Sequence, residues 1–219
     1  MAPRRLVPLS GIVFVVLAVV AVIGLSGSTP GTDESAAKVA SFYDGHSTRQ
    51  AIAAIVLAAS VPFLALFGVY LASSFRSVAG REVSAQGTVW ERLLVVGTAL
   101  ASAMILVTAL VHFALADAAN DGVAGDGIRA LNTLDSDFWV AWNSGLGVMM
   151  LGAGATALTR VLVPRWLGWL AVLLGVLLFI PFADFFALLA TLLWMIVVSI
   201  LLSRAATGSR LATTAPEAV

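Results

Sequence analysis

The chain has 219 residues, of which 60% are hydrophobic and 11% are charged, and its formal net charge is zero. Soluble domains carry about 25% charged residues, so this composition is typical of an integral membrane protein and provides no basic surface for nucleic acid. The chain has no cysteine, which excludes disulfides, thiolate catalysis and cysteine metal sites. Its only histidines are His46 and His112, which severely limits haem and metal chemistry.

Six apolar segments follow one another along the chain. A helix of about 20 residues crosses a hydrocarbon core of about 30 Å. The first segment follows Arg4 and Arg5 and exceeds the apolar core of about 7–15 residues of a signal peptide, so we expect a membrane helix rather than a cleaved signal. The sequence therefore predicts one all-α domain, residues 1–204, with six transmembrane helices and then a disordered cytoplasmic tail, 205–219. The predicted spans are about 6–25, 51–73, 93–116, 138–158, 164–180 and 185–202.

The last two spans are predicted from a length argument. Among the 36 residues from Leu167 to Leu202, Asp184 is the only charged one. A single helix of that length would extend roughly 54 Å, well beyond the thickness of the hydrocarbon core. Pro181 lacks a backbone donor and disfavours helix at the residue before it. We therefore expect a hairpin that turns between Pro181 and Asp184.

The basic residues predict an orientation for the bundle. Nine of the twelve fall on the side that holds the amino terminus, the second and fourth loops and the tail. The other side holds Lys38, Arg49 and Arg129. Because cytoplasmic loops are enriched in lysine and arginine, we expect both termini in the cytoplasm.

Apolar residues recur at helical spacing in both predicted outer loops, from Val39 to Tyr43 and from Ile128 to Leu134. This spacing predicts a short surface helix in each loop, the first of which ends near Gly45. Small residues in the third and fourth spans predict close contact between helix backbones. These small residues are Gly97 and Ala101, Thr98 and Ser102, Ala99 and Ala103, and the glycines at 145, 147, 152 and 154.

Two segments carry a resemblance to known proteins. They are Val39-Ala40-Ser41-Phe42-Tyr43-Asp44-Gly45-His46, which leads to Arg49 and an alanine-rich span, and Pro164-Arg165-Trp166-Leu167-Gly168-Trp169 before the final hairpin. With these segments the chain resembles uncharacterised actinobacterial multipass proteins and is similar to the membrane families filed as domain of unknown function 4386. The resemblance implies a protein of the bacterial cytoplasmic membrane, and it implies no activity.

Polar groups within a bilayer are costly, so each is a candidate functional group. Five such groups fall at the predicted outer leaflet, at the depth of Trp139 and Trp142, and they predict a cavity that opens outward. The five are His46, His112, Asp117, Asn143 and Asp184. Structural roles explain the same residues: His112 reaches headgroups or a neighbouring helix, Asn143 bonds between helices, Asp184 caps the sixth helix, and the tryptophans form an interfacial belt.

Three functions remain open from the sequence. The first is a non-enzymatic structural, accessory or sensing role, and the second is a small carrier or binder of a lipid or apolar molecule through the outward cavity. The third is a membrane-embedded metal hydrolase, which requires about three ligands and would take them from His46, His112 and Asp117. No catalytic residue, cofactor or resident metal is predicted, and the expected partner is the lipid bilayer. The oligomeric state is left open.

Overall fold

A computed structural model describes residues 7–78, 85–123, 125–160 and 162–211. These residues form seven helices and no strand, so the predicted all-α class is confirmed for the described part of the chain. Helix α1 combines a 3-10 turn (Val7–Leu9), an α-helix (Ser10–Val19) and a π-helical segment (Val20–Ser26). The others are α2 (Ala36–Val78), α3 (Ala85–Asn120), α4 (Asp126–Asp137), α5 (Trp139–Thr159), α6 (Arg165–Leu177) and α7 (Asp184–Leu211).

Four segments are long and apolar enough to cross a membrane, judged by length and composition. They are Val7–Ser26, Ala36–Ser77, Val89–Ala119 and Asp184–Ala205. Helix α5 has 21 residues, but Asn143, Ser144 and four glycines lower its hydropathy. Helix α6 is apolar and has 13 residues. The membrane character predicted from composition thus rests on four described helices.

The predicted boundary near Gly45 is wrong, because α2 continues through Gly45 as one helix of 43 residues. Such a helix is roughly 65 Å long, so its first part projects beyond the apolar stretch. There Val39 and Tyr43 pack against Leu115 of α3 and Ile128 of α4 in a second hydrophobic core. This packing outweighs the helix cost of a glycine, about 1 kcal/mol. We use the name helical cap for this projecting part of α2 together with the parts of α3 and α4 that pack against it. Its core residues are Val39, Tyr43, Leu115, Ala116, Ala119 and Ile128.

Helix α5 lies between α3 and α6 and contacts each through its own glycines. A Cβ at Gly145 would lie 2.4 Å from the backbone nitrogen of Ala101, and one at Gly152 would lie 2.3 Å from that of Leu94. Both pairs are seven residues apart, which fixes one antiparallel register between α5 and α3. Backbones approach this closely only where side chains are missing, so the predicted close contact is confirmed at these glycines.

The opposite face of α5 packs on α6 in the same manner. A Cβ at Gly154 would lie 2.7 Å from the carbonyl oxygen of Gly168, and one at Gly175 would lie 3.0 Å from that of Gly147. The indole nitrogen of Trp194 in α7 then donates to the carbonyl oxygen of Leu167, at 3.0 Å. These contacts therefore link α3 to α5, α5 to α6, and α6 to α7.

The predicted hairpin turn is present between α6 and α7. Phe182 adopts a φ of 71° and is 95% exposed, and Asp184 is the first residue of α7. Helix α7 continues to Leu211, so the tail expected to be disordered from residue 205 begins as helix. The rest of that tail, 212–219, and Arg4, Arg5 and Arg81, which entered the charge count, lie outside the described residues.

Candidate functional site

One face of α3 carries two ionisable side chains that are both buried. Glu91, Thr98, Ile105 and His112 are spaced seven residues apart, and all four are buried. Residues with this spacing share one helix face. No charged residue occurs between 93 and 111. The Cα atoms of Glu91 and His112 are therefore about 32 Å apart along the helix axis, close to the thickness of a hydrocarbon core, about 30 Å.

His112 joins four segments of the chain. Its Nδ1 lies 2.8 Å from Asp135 Oδ2 at the end of α4, and its Nε2 lies 2.9 Å from Gln50 Oε1 of α2. Ser26 Oγ, at the end of α1, lies 3.5 Å from the same Nε2. The side chains of His112 and Asp135 are only 9% and 10% exposed. This buried pair is the polar centre of one end of the bundle.

The amide of Gln50 has a defined orientation. Its Nε2 donates to the backbone carbonyl of Ser26 at 3.0 Å, so its Oε1 is the atom that faces His112. Both ring nitrogens of His112 consequently face acceptor oxygens. A ring nitrogen that carries a proton can therefore donate to the oxygen that it faces, on Gln50 or on Asp135.

Tyr43 of the helical cap covers the histidine. Its ring meets that of His112 edge-on, with centroids 6.1 Å apart. Its hydroxyl is buried and has no hydrogen-bond partner within the described part of the chain. Burial raises the pKa of Tyr43 well above its usual value, and the carboxylate of Asp135 adds to the shift. The phenol therefore stays neutral.

An open cavity of about 170 Å³ lies beside the His112–Asp135 pair. We call it the His112 cleft. The last turns of α1 form one wall, α2 and α3 form the floor, and the junction of α4 and α5 forms the other wall. The lining residues are Val22, Ser26, Gly27, Thr29, Ala53, Ala54, Leu57, Thr108, His112, Asp135, Ser136, Trp139 and Trp142. Trp142 lines the cleft, but its indole nitrogen is buried away from the open space and has no acceptor among the described residues.

Of the five residues predicted to surround an outward cavity, His112 is the one that lines this cleft. His46 is exposed on α2, where its Nδ1 lies 2.8 Å from the carbonyl oxygen of Phe42, and it lines a separate surface cavity with Lys38. Asp117 lines a third cavity with Ser47 and Thr48.

The remaining two predicted residues are buried at other places. Asn143 is 1% exposed on α5, and its side-chain oxygen has no partner among the described residues. Asp184 is 5% exposed at the start of α7, where a carboxylate interacts favourably with the helix dipole. Neither residue lines the His112 cleft.

Two partners of His112 were missed from the sequence, although a periodic signal was present for each. Gln50 continues a seven-residue series of buried positions in α2 from Tyr43 through Leu57 to Leu71. The assumed break at Gly45 hid this series. Asp135 lies seven residues after the buried Ile128 and therefore on the same face of α4.

The side chains of Ser26, His112 and Asp135 occur in the order of a nucleophile, a base and a carboxylate. A general base must accept the serine proton at Nε2. Here Gln50 Oε1 is the nearer partner of that nitrogen, at 2.9 Å against 3.5 Å for Ser26 Oγ. The arrangement therefore suits a fixed polar pair better than a hydrolytic triad.

The described residues provide no site for the metal hydrolase considered as a remote alternative. Within the described residues, no group of three or more histidine, aspartate or glutamate side chains is close enough to hold a metal ion. His46, His112 and Asp117 each line a different cavity. We therefore do not carry that alternative further.

The other end of α3 holds a second buried ionic group, which we call the Glu91 clamp. Glu91 is 1% exposed, and its two carboxylate oxygens face Arg160 Nη2 at 3.3 Å and Arg76 Nε at 3.4 Å. The clamp joins α2, α3 and the end of α5. Arg160 is nearly buried, whereas the side chain of Arg76 is 65% exposed.

Comparison of the chain with family models, with curated proteins and with solved structures finds no match.

Proposed function

We propose that the protein is a non-enzymatic membrane protein with six spans and an accessory or sensing role, which it performs by binding a small molecule in the His112 cleft. The observation that carries this proposal is the cleft itself. It is open, and it is bordered by a buried histidine–aspartate pair. Concave sites with a few well-placed polar groups are typical of ligand binding.

The glycine contacts support six spans rather than four. Helix α3 is long and apolar enough to cross a membrane. Helix α5 is in close contact with α3 at Gly145 and Gly152, and α6 is in close contact with α5 at Gly168 and Gly175. We therefore infer that α5 and α6 lie at the same depth as α3. From Arg165 to Ile180, α6 and the turn after it extend roughly 24 Å. That length nearly spans the hydrocarbon core.

Charge supports the orientation with both termini in the cytoplasm. The Glu91 clamp gathers Arg76 and Arg160 at one end of α3, which we take as the cytoplasmic end. With this orientation the His112 cleft faces outward. The resemblance to the families of unknown function is the basis for proposing a bacterial cytoplasmic membrane.

A pair of reporter fusions tests this orientation. We expect a cytoplasm-active reporter to work after Arg204 and a periplasm-active reporter to work in the loop at Gly122. An active periplasmic reporter after Arg204 would reverse the orientation.

Mass spectrometry of co-purifying molecules tests the binding proposal. Val22 lines the cleft, and its neighbour Ile23 is 67% exposed outside it. We expect a small molecule that co-purifies with the native protein and with Ile23→Trp and is lost from Val22→Trp, because the bulky side chain fills the cleft. Retention in Val22→Trp, or no enrichment over a protein-free detergent extract, contradicts the proposal.

A further inference from the structure

A shallow groove follows the junction of α2 and α3. It consists of two adjoining cavities, of about 240 Å³ and about 170 Å³, which share Phe113. The first is lined only by apolar side chains, and the second ends in Ser47, Thr48 and Asp117. We call the two cavities together the α2–α3 groove. Of its described lining residues only Ala54 also lines the His112 cleft, so the groove is a separate site on the other side of the α2–α3 contact.

The polarity of the groove matches that of one bilayer leaflet. On α2 its lining residues continue from Thr48 through Ala51 to Ala58, so one helix face carries the groove from its polar end to its apolar end. The apolar part, from Ala51 to Ala58, is roughly 10 Å long. That length is about two thirds of one leaflet of a hydrocarbon core about 30 Å thick. At the polar end Asp117 lies close to Ala119, where the apolar segment of α3 ends. The groove therefore fits part of one acyl chain, with the head group beside Asp117.

The polar end of the groove has hydrogen-bonding groups that the chain itself does not use. The exposed carboxylate of Asp117 belongs to none of the ion pairs of the described residues. The hydroxyls of Ser47 and Thr48 make no hydrogen bond within the described part of the chain. Other helical hydroxyls, such as that of Thr98, donate to a carbonyl oxygen one turn earlier. The groove thus provides a free acceptor with a negative charge and two free donors.

The charges around this end favour an ammonium group over an anion. Among the described residues, none that lines the groove is basic. Asp44 precedes Thr48 by one turn on the same face of α2. The neighbouring Arg49 is directed towards α1, where its Nη2 donates to the carbonyl oxygen of Gly24 at 3.4 Å. An ammonium group can therefore pair with Asp117, and phosphate oxygens can accept from the two hydroxyls.

We propose that the α2–α3 groove binds a zwitterionic phospholipid of the bilayer whose head group ends in a primary ammonium group, as in phosphatidylethanolamine. One acyl chain lies along Ala58 and Leu110. The phosphate accepts from Ser47 and Thr48, and the ammonium group donates to Asp117. Phosphatidylcholine has the same phosphate but no N–H to donate, and phosphatidylglycerol carries a net negative charge. This site is independent of the proposed ligand of the His112 cleft.

Native mass spectrometry of the full chain tests the head group. The protein is released from detergent micelles that contain equal amounts of these three phospholipids with the same dioleoyl chains, so the bound lipids differ only in head group. We expect phosphatidylethanolamine to bind about threefold to fivefold more tightly than phosphatidylcholine; fivefold corresponds to about 1 kcal/mol, the upper range for an exposed ion pair. Phosphatidylglycerol should bind most weakly. Equal binding of all three lipids, or tightest binding of phosphatidylglycerol, overturns the proposal.

Asp117→Asn removes the charge and keeps the size of the side chain. We expect this variant to lose the preference for phosphatidylethanolamine and to bind phosphatidylcholine as the native chain does, which shows that it remains folded. Asp126→Asn is the matched control, because Asp126 is exposed at the start of α4 and lines neither part of the groove. Its preference should be unchanged. A preference that persists in Asp117→Asn contradicts the assigned pairing.

Ala58→Phe fills the apolar part of the groove and should weaken the binding of all three lipids. Ala59→Phe is the matched control, since Ala59 is exposed on α2 and lines neither part of the groove. Val22→Trp fills the His112 cleft instead and should keep the full preference for phosphatidylethanolamine. Undiminished binding to Ala58→Phe, loss of the preference in Val22→Trp, or a dimer of the native chain without bound lipid overturns the groove as a lipid site. None of these results decides whether a small molecule binds in the cleft, which co-purification with the Val22→Trp variant tests separately.

Discussion

The same face of α3 carries a buried ionisable residue near each end of the helix, but the surroundings of the two residues differ. Glu91 and His112 are both buried, both are paired with ionisable side chains from other helices, and they are three seven-residue repeats apart. Glu91 is held between two arginines from neighbouring helices, whereas His112 is held by one aspartate and one amide at the edge of an open cleft. Burial and pairing alone therefore do not distinguish the two ends, whereas an open cavity beside the pair does.

The difference also concerns how each group is balanced. The carboxylate of Glu91 is paired with two guanidinium groups. Because that of Arg160 is nearly buried, removal of the Glu91 charge leaves a buried positive charge. The His112–Asp135 pair is balanced within itself, and the neighbouring N–H of Trp142 is left without a described partner. We infer that the first end stabilises the bundle and that the second end is available to a ligand.

The largest expected effect is at the Glu91 clamp. Glu91→Gln should lower the free energy of unfolding by about 3–5 kcal/mol, because Arg160 then remains buried without its counter-charge. Chemical unfolding in detergent micelles measures the change. Arg76→Gln is the matched control and should cost less than about 1 kcal/mol, since Arg76 is largely exposed. Equal losses of unfolding free energy in the two variants would contradict the distinction between the buried Arg160 and the exposed Arg76.

A double-mutant cycle measures the interaction free energy of the His112–Asp135 pair at the other end of α3. For His112→Gln and Asp135→Asn we expect a coupling free energy of about 1.5–3 kcal/mol, the range for hydrogen bonds to charged groups. The pair of Glu34 and Lys38, whose side chains are 34% and 63% exposed, provides the control cycle with about 0.5 kcal/mol or less. A His112 coupling as small as this control would mean that the pair does not order this end.

The contrast between the two ends could be predicted from the sequence only in part. Hydrophobic patterning placed the apolar segments, and the length of the last apolar stretch together with Pro181 placed the turn before Asp184. His112 was singled out because a histidine in an apolar helix is costly. Its partner Gln50 was not, because the pairing depends on a helix that continues through Gly45, and tertiary packing of Val39 and Tyr43 decides that.

Other features depended on contacts between distant parts of the chain. Glu91 lies just before the predicted third span, 93–116, and nothing in its local sequence indicates that Arg160, 69 residues away, lies 3.3 Å from it. Asn143 and Asp184 were grouped with His112 by predicted depth. Depth alone does not fix the direction of a side chain around its helix, and this is why neither residue lines the cleft.

The packing between the two ends gives a further test. A Cβ at Gly97 would lie 2.1 Å from the backbone nitrogen of Met149, so Gly97→Ala forces α3 and α5 apart. We expect a loss of about 1–3 kcal/mol. Gly45→Ala is the matched control, since nothing lies within 4 Å of its added Cβ, and it should stabilise α2 by about 0.5–1 kcal/mol. Destabilisation by both changes would contradict the assigned contact.

The smallest expected effect is the interaction between the ends themselves. Glu91→Gln and His112→Gln are about 32 Å apart along α3 and share no partner among their described contacts. Their effects on the free energy of unfolding should therefore add within about 0.5 kcal/mol. A larger deviation would mean that Thr98 and Ile105, which lie between them on the same face, transmit strain along α3. In that case the clamp and the cleft would act as one unit, and a ligand at His112 would have a direct route along α3 to the Glu91 clamp. Additivity instead means that the two ends contribute to stability independently, so that any signal from the cleft would have to leave through α1 or the helical cap.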